Sequence, residues 1–352
     1  PLYSVDVMEK GNFVKIYIYG AGSIGCYLGG KLAASGSEVT FITRPRIYEE
    51  LSHFGLELTD YLGKNIKLAP NDLKLTTDPK QVADADVIFI CVKSTASEQA
   101  ANELKTYLGS KTPLIISFQN GLSNVPILKN ILQGQTVLEG MVPFNVAALG
   151  KGHFHQGTSG ALSVKQYPTQ YLLGNMFKKA ELDIVFEEDM LAIQWAKLLL
   201  NLNNSVNALS KLPLKAQLST RAYRRCVAMA QQETLDLLDF AHIQTAKLTA
   251  IPTHWIPKIL SLPNPVFKLL SRKMLEIDPL ARSSMQDDLI AGRATEVDWI
   301  NGEVLKLAEQ CGRRAPINEC LIQLIKQAEK SPKEFAISAD ALKVQLESVA
   351  NT

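Results

Sequence analysis

Net charge is nearly absent from this chain. Its 37 Lys and Arg against 35 Asp and Glu leave +2 over 352 residues, so its charge calls for no nucleic-acid or membrane-surface partner. No run of about 18 uninterrupted apolar residues occurs, and no transmembrane helix is expected. Residues Pro1 to Phe13 lack the basic-then-apolar pattern of a secretory signal. They read as a short leader before the first strand, with Met8 as an alternative start. Cysteine is sparse: Cys26, Cys91, Cys226, Cys311 and Cys320 form no CxxC pair and stand at no Cys/His ligand spacing. That pattern indicates buried free thiols in a reducing cytosol, hence a cytoplasmic protein, and no metal. His153 and His155 alternate on a strand-like segment, where a structural role outweighs ligation. Internal repeats and low-complexity tracts are missing too. With 46% hydrophobic and 20% charged residues, the composition is that of a soluble globular protein. Its length suggests two domains, each with its own core.

What the chain does have is concentrated between Val14 and Arg44. An apolar run from Val14 to Tyr19 meets Gly20-Ala21-Gly22-Ser23-Ile24-Gly25. A helix-like stretch follows, then a second β-rich run from Glu38 to Thr43, ending at Arg44. Strand, glycine turn, helix and strand occur in the order a dinucleotide site requires. The first glycine permits the tight turn, the second lets backbone approach a pyrophosphate, and the third lets the helix pack closely on the strand. The pyrophosphate would rest on unpaired N–H groups at the helix start. A GxGxxG alone is weak, and an ordinary loop in an α/β domain is the competing explanation; the flanking strands and helix favour the dinucleotide. NAD-selective sites usually end the second strand in Asp or Glu, which binds the ribose 2′-hydroxyl. This strand ends in Arg44, with Arg46 beyond it and no carboxylate before Glu49. Arginine suits a 2′-phosphate, so the expected cofactor is NADP.

Up to about Glu188, β-rich runs alternate with polar or helical stretches. After the first two strands come Asn65–Leu68, Leu73–Thr76, Asp86–Val92, Leu114–Phe118 and Thr136–Phe144, then shorter runs at His153–His155, Ala161–Val164 and Asp183–Phe186. Near-continuous apolar strands separated by helices indicate a parallel sheet covered on both faces, and the short late strands suggest an antiparallel extension. From Asp189 helical periodicity dominates, over Met190–Ala208, Thr220–His242, Arg282–Gly312 and Ile317–Lys330. Ile251–Asp278 reads as short helices forming an insertion or lid. The expected fold is therefore α/β: a Rossmann-type doubly wound parallel sheet over 1–188, followed by a mostly α-helical second domain over 189–352. The helical half and the apolar Trp255–Leu270 stretch could make a homodimer surface, or only a lid.

Ligands in a doubly wound sheet gather beyond the carboxyl ends of the strands. Lys93 and Asn120-Gly121 follow two apolar strands there. Either could be an exposed loop residue. Beside a glycine turn, Lys93 can meet a cofactor phosphate together with Arg44, and Asn120 can hydrogen-bond near the nicotinamide. In the helical half, Lys197 and Asn201 fall four apart on one helix face, and Asn203, Asn204 and Ser205 continue a polar stripe through leucine-rich sequence. Polar groups inside an apolar helix are costly unless paired. The stripe is either a buried network capping a helix junction or a pocket wall facing the nicotinamide. Ser283 with Gln286, or Ser284 with Asp287, can form a capping box. Thr295-Glu296 reads, alone, as ordinary helix surface.

Taken in order, these pieces resemble the ketopantoate reductase family, NADPH-dependent enzymes of pantothenate synthesis. The resemblance runs from Val14 to about Lys330. It rests on the glycine turn with Arg44, on Lys93, on Asn120-Gly121, on Lys197-x-x-x-Asn201, on Ser283-Ser284-Met285, and on Thr295-Glu296-Val297-Asp298-Trp299-Ile300-Asn301-Gly302. Glu296 follows Ser284 at the family's spacing. The resemblance implies that Arg44 and Lys93 hold the 2′-phosphate end of NADPH and that Asn120 bridges cofactor and substrate. It makes Lys197 the proton donor, has Asn201 and Ser284 bind a small 2-keto acid, and sets Glu296 at the reacting centre. Where the family pattern has a second substrate asparagine this chain has Ser205, which takes that place. Two rivals share parts of the pattern: a 3-hydroxyacid or 6-phosphogluconate dehydrogenase relative, and a non-catalytic NADP-binding sensor. The Ser-Ser-Met and Thr-Glu-Val-Asp segments weigh against the first, and the retained Lys197, Ser284 and Glu296 against the second.

Overall fold

The computed structural model describes residues 14–270, 281–331 and 335–350. The leader with its alternative start at Met8, and the end of the Ile251–Asp278 insertion, lie outside the described residues. The chain folds into two compact units that part between Met190 and Leu191.

In the first unit, Val87, Ile88, Phe89 and Ile90 are all fully buried. Burial of successive residues on opposite faces explains why this strand reads as one apolar run. It is β6 (Val87–Ile90), and it lies in an eight-stranded sheet ordered β12-β11-β8-β7-β6-β1-β2-β5. β1 (Lys15–Tyr19), β2 (Glu38–Ile42), β5 (Lys74–Thr76), β7 (Leu114–Ser117) and β8 (Thr136–Met141) join β6 in parallel. β11 (Leu162–Lys165) runs antiparallel to β8, and β12 (Ile184–Glu187) pairs parallel with β11, giving the expected antiparallel extension.

A second sheet was not foreseen. β3 (Leu56–Asp60), β4 (Asn65–Leu68), β9 (Val146–Gly150) and β10 (His153–Gln156) form four strands ordered β4-β3-β10-β9. β3 escapes the sequence reading because only Leu56 and Leu58 of its five residues are apolar, and β9 because its alanines and terminal glycine carry little β-propensity; β4 alternates exposed with half-buried residues. α1 (Ser23–Ala34) packs against both sheets. A Cβ on Gly29 would lie 2.5 Å from Phe41 of β2, and one on Gly30 would lie 2.4 Å from Leu56 of β3. His153 Nε2 and His155 Nδ1 both lie 2.8 Å from the Thr59 hydroxyl, so one ring nitrogen of each is held by a cross-strand neighbour. α2 (Pro45–Phe54), α3 (Ser97–Leu108), α4 (Asn124–Ile131) and α5 (Gln170–Lys179) complete the unit.

The second unit is helical: α6 (Met190–Asn201), α7 (Asn203–Ser210), α8 (Leu214–Ser219), α9 (Arg221–Phe240), α10 (Ile256–Leu260), α11 (Asn264–Leu270), α12 (Ser284–Ile290), α13 (Val297–Gln310), α14 (Pro316–Lys330) and α15 (Ala339–Ala350). The helix read over Met190–Ala208 is interrupted at Leu202, among asparagines whose side chains compete with the backbone for hydrogen bonds. The one read over Arg282–Gly312 is two. Gly292, at φ +63°, ends α12, and the Arg293 N–H closes back on the Asp288 carbonyl in a left-handed cap. No described helix is long and apolar enough to cross a membrane. Among the described residues no cluster of three His, Cys, Asp or Glu could hold a metal. The cysteines are free, but Cys26 and Cys226 are buried whereas the other three are half-buried.

Arg224 of α9 is 0% exposed. Its guanidinium donates to the carbonyls of Leu218, Leu260 and Leu262 and to Asn264 Oδ1, with the Phe267 ring 3.9 Å away. Carbonyls at helix ends, carrying partial negative charge, thus take the place of a carboxylate. This clamp fixes the described part of the insertion to α9. Arg224→Ala strands these acceptors and opens a cavity. It should cost at least about 3 kcal/mol in urea unfolding of the helical unit. Arg224→Lys should recover only a fraction, because one ammonium cannot span the four acceptors.

Candidate active site

The chain passes from β1 to β2 on one side and later enters β6 on the other side of β1. This reversal makes the carboxyl ends of β1 and β6 the crevice of the first unit. Gly20 follows β1 with φ +96°, and a Cβ there would lie 2.6 Å from the Val92 nitrogen. The N–H groups of Gly20 and Ala21 both donate to the Ile42 carbonyl, at 3.1 and 3.2 Å, which ties the turn to the end of β2. A Cβ on Gly25 would lie 2.6 Å from the Gly20 carbonyl oxygen and 2.8 Å from Ile18. The bare glycines therefore let α1 settle directly on β1. Gly22 differs: a Cβ there would meet nothing within 4 Å. It is also the N-cap of α1 and supplies no side-chain cap. The first helical bond runs from Cys26 N–H to the Gly22 carbonyl. The N–H groups of Ser23, Ile24 and Gly25 thus head the helix without intrahelical acceptors, the arrangement that receives phosphate. Uncapped N–H groups below open space fit a dinucleotide pyrophosphate.

Arg44 is exposed just beyond β2, while Arg46 pairs with Glu50. Thr43, overlooked in the sequence, is only 7% exposed, and its hydroxyl has no hydrogen-bond partner among the described residues. Lys93 and Asn120 are half-buried in the turns after β6 and β7. Side chains that sequence reasoning also missed hold those turns together. The Ser117 hydroxyl donates to Gln119 Oε1; Gln119 Nε2 donates to the Val92 carbonyl and to Ser97 Oγ; and the Ser97 hydroxyl donates to Asn124 Oδ1. Asn124 Nδ2 then donates to Ser94 Oγ and to the Asn120 carbonyl, which also accepts from the Ser94 hydroxyl. The strand-end loops that carry Lys93 and Asn120 are thereby joined into one polar frame. Nothing in the local sequence marks Gln119 or Asn124 as its members, since the partners they reach across the loops, Val92, Ser94 and Ser97, lie 22 to 30 residues away.

In the helical unit, Lys197 and Asn201 lie one turn apart on α6, which Gln231 of α9 secures by donating to the Leu199 carbonyl. Lys197 is half-buried, and burial pushes its ammonium down to about 8. Ser205 on α7 is 0% exposed. Its hydroxyl donates to Asn301 Oδ1 on α13, Asn301 Nδ2 donates to Asn318 Oδ1 on α14, and Asn318 Nδ2 donates to the Glu233 carboxylate on α9. A carboxylate only accepts, so Glu233 sets the direction of every bond in this series. For Ser205, the polar stripe is a buried network at a helix junction.

Of the two capping boxes the sequence allowed, Ser283 makes the cap: its hydroxyl accepts from the Gln286 N–H at 3.2 Å. Its own N–H donates to Asn207 Oδ1 of α7. Ser284 is left exposed at the start of α12. The Thr295-Glu296 segment is not ordinary surface. Thr295 is buried, and its N–H and hydroxyl both donate to Glu329 of α14, at 2.8 and 2.7 Å. That contact fixes the half-buried Glu296 at the head of α13. Three separate groups of hydrogen bonds thus tie α7 to α13 and α14, α7 to the start of α12, and the head of α13 to α14.

Two contiguous matches cover most of the chain. Residues 16–169 match the family described as "Ketopantoate reductase PanE/ApbA", and residues 189–329 match its C-terminal domain. The 2-dehydropantoate 2-reductase of Pyrococcus horikoshii is 26% identical over 322 residues, 90% of this chain and 98% of that protein. Among solved structures, a PanE/ApbA family ketopantoate reductase from Ralstonia eutropha superposes with a TM-score of 0.77 at 25% identity, over 91% of this chain and 100% of that one. A D-mandelate dehydrogenase in ternary complex with NADH and anilino(oxo)acetate gives 0.75 at 20% identity, over 90% and 99%; at that identity the likeness is one of fold.

The two kinds of glycine in the turn separate in experiment. Gly22→Ala should change stability by no more than about 0.5 kcal/mol. It should nonetheless weaken dinucleotide binding on the order of tenfold, because the added methyl occupies the space the pyrophosphate needs. Thermal unfolding and fluorescence titration with NADPH check the two halves of this expectation.

Proposed function

Since the chain belongs to the ketopantoate reductase family, oxidoreductases acting on a CH-OH/C=O pair, we propose that it reduces a 2-keto acid with NADPH. The substrate we assign is 2-dehydropantoate (ketopantoate), giving pantoate for pantothenate synthesis. The observation that carries this reading is Lys197: a half-buried lysine, one helical turn from Asn201, whose ammonium burial pushes down to about 8. An acid with that value transfers its proton far more readily near neutral pH than an ordinary lysine.

When bound, the nicotinamide supplies the hydride to C2 of the keto acid. The uncapped first turn of α1 holds the pyrophosphate, and Arg44 and Lys93 bind the 2′-phosphate end. Negative charge developing on the C2 oxygen is met by the Lys197 ammonium, which stabilises it and gives up its proton to form the hydroxyl. The ammonium also attracts the anionic substrate. Asn120 bridges cofactor and substrate, while Asn201 and the exposed Ser284 hold the substrate's carboxylate or hydroxyl groups. Glu296 orients the lysine or the product hydroxyl. Ser205, with its hydroxyl committed to Asn301, serves as a positioning residue.

An NADPH-consumption screen over branched 2-keto acids, ketopantoate among them, tests the assignment directly. NADPH binding without turnover of any of them would return the protein to the sensor reading. Lys197→Ala should lower kcat strongly and leave NADPH affinity nearly unchanged. The pH dependence carries a sharper signature. The proton donor is lost as pH rises through about 8, so reduction should slow there. Stability should move the other way. Between about 8 and the ordinary lysine value of 10.5, the unfolded chain binds more protons than the folded one, so stability rises with pH. Initial rates and denaturation midpoints across that window check both slopes; Lys197→Met should flatten the stability slope.

A further inference from the structure

We infer that Thr43 is a specificity-determining residue of the dinucleotide site, its hydroxyl donating to the cofactor's 2′-phosphate beside Arg44. This rests on the NADPH reading above.

Thr43 is 7% exposed, and its hydroxyl oxygen is buried with no hydrogen-bond partner among the described residues. A buried hydroxyl left unsatisfied is costly, and valine would fill the same volume without that cost. Its position says what could satisfy it. Thr43 directly follows β2, and its N–H donates to the Thr76 carbonyl at 2.9 Å, extending the pairing with β5 by one residue. Arg44 after it is also extended, at φ −75° and ψ 154°. Side chains along extended backbone alternate faces, so Thr43 shares the face of Phe41, two residues earlier. Phe41 packs against α1, where a Cβ on Gly29 would lie 2.5 Å from its ring. Thr43 therefore stands on the α1 face of the sheet, farther toward the strand's carboxyl end. The glycine turn lies there too, because Gly20 and Ala21 both donate to the carbonyl of Ile42.

Beyond the end of β2 a Rossmann site receives the adenosine ribose. Arg44 is exposed at that end, and the next carboxylates, Glu49 and Glu50, lie five and six residues further on in α2, Glu50 already paired with Arg46. The end of β2 thus offers donors, and the carboxylate past the neighbouring strand, Asp78, is engaged by the Lys80 N–H, which suits a phosphate ester better than a ribose diol. Rotation about χ1 carries the threonine hydroxyl among three staggered positions, so the hydroxyl can turn toward a ligand with no change of backbone.

The test compares Thr43→Val and Thr43→Ala with the wild-type chain. It uses the dissociation constants of NADPH and NADH, read by fluorescence titration, and the melting temperature of the ligand-free protein. Thr43→Val should weaken NADPH binding about tenfold, the size of a lost hydrogen bond to a charged group. NADH binding should stay within about twofold, and the ligand-free protein should melt no lower than wild type. Thr43→Ala should show the same selective loss and carries the test should the valine variant fail to fold. Unchanged NADPH affinity in both variants, or equal loss for both dinucleotides, overturns the assignment. If Arg44→Ala still narrows the preference over NADH in that event, the NADPH reading survives without Thr43. Failure of the wild-type chain to bind either dinucleotide overturns both.

Discussion

The absence of a side chain at Gly20 and Gly25 is the constraint from which the first unit is built. Gly20 sits against the Val92 backbone, and Gly25 sits against the Gly20 carbonyl, each at a distance no Cβ tolerates. These approaches bring the head of α1 onto the end of β1. Gly29 and Gly30, one turn later, let the same helix touch Phe41 of one sheet and Leu56 of the other. Bare at these positions, the helix packs against both sheets. Gly22 is the one glycine of the turn that faces open space. Close packing at its neighbours and vacancy at Gly22 are two sides of one arrangement, in which the uncapped N–H groups are held rigidly at the crevice.

Both units place their candidate residues by the same device. Short, buried series of hydroxyls and carboxamides cross between segments far apart in sequence. In the first, Gln119 and Asn124 bind the loops after β6 and β7; in the second, Asn301 and Asn318 carry the direction imposed by Glu233 through to Ser205. Satisfied networks of this kind specify one geometry, since a partly satisfied one leaves buried polar groups unpaired. Thr43 stands out against that background as a buried hydroxyl with no partner among the described residues.

The parallel strands were legible because burial on both faces writes itself as an unbroken apolar run, as in Val87–Ile90. β3 and β9 were not, since β9 is largely exposed and β3 only half-apolar. Their pairing partners are also remote: β10 lies beside β3 across some ninety residues. The Gly292 break between α12 and α13 could have been read from the glycine itself, whose left-handed backbone ends a helix. Which serine caps α12 could not. Ser283 and Ser284 have equivalent spacing to an acceptor, and the choice is made by Asn207 of α7, which takes the Ser283 N–H.

Residue type and short spacings were enough for the glycine turn, the arginine after β2, the lysine and asparagine one helical turn apart, and the division between α/β and helical halves. The backbone's fixed periodicities turn spacings of a few positions directly into geometry. Folding was needed to settle the second sheet, the partners of Ser205 and Thr295, the burial that pushes Lys197 down, and the isolation of the Thr43 hydroxyl. Each of these depends on which distant segment is brought against a given side chain, and burial and hydrogen-bond satisfaction have no value until that segment arrives.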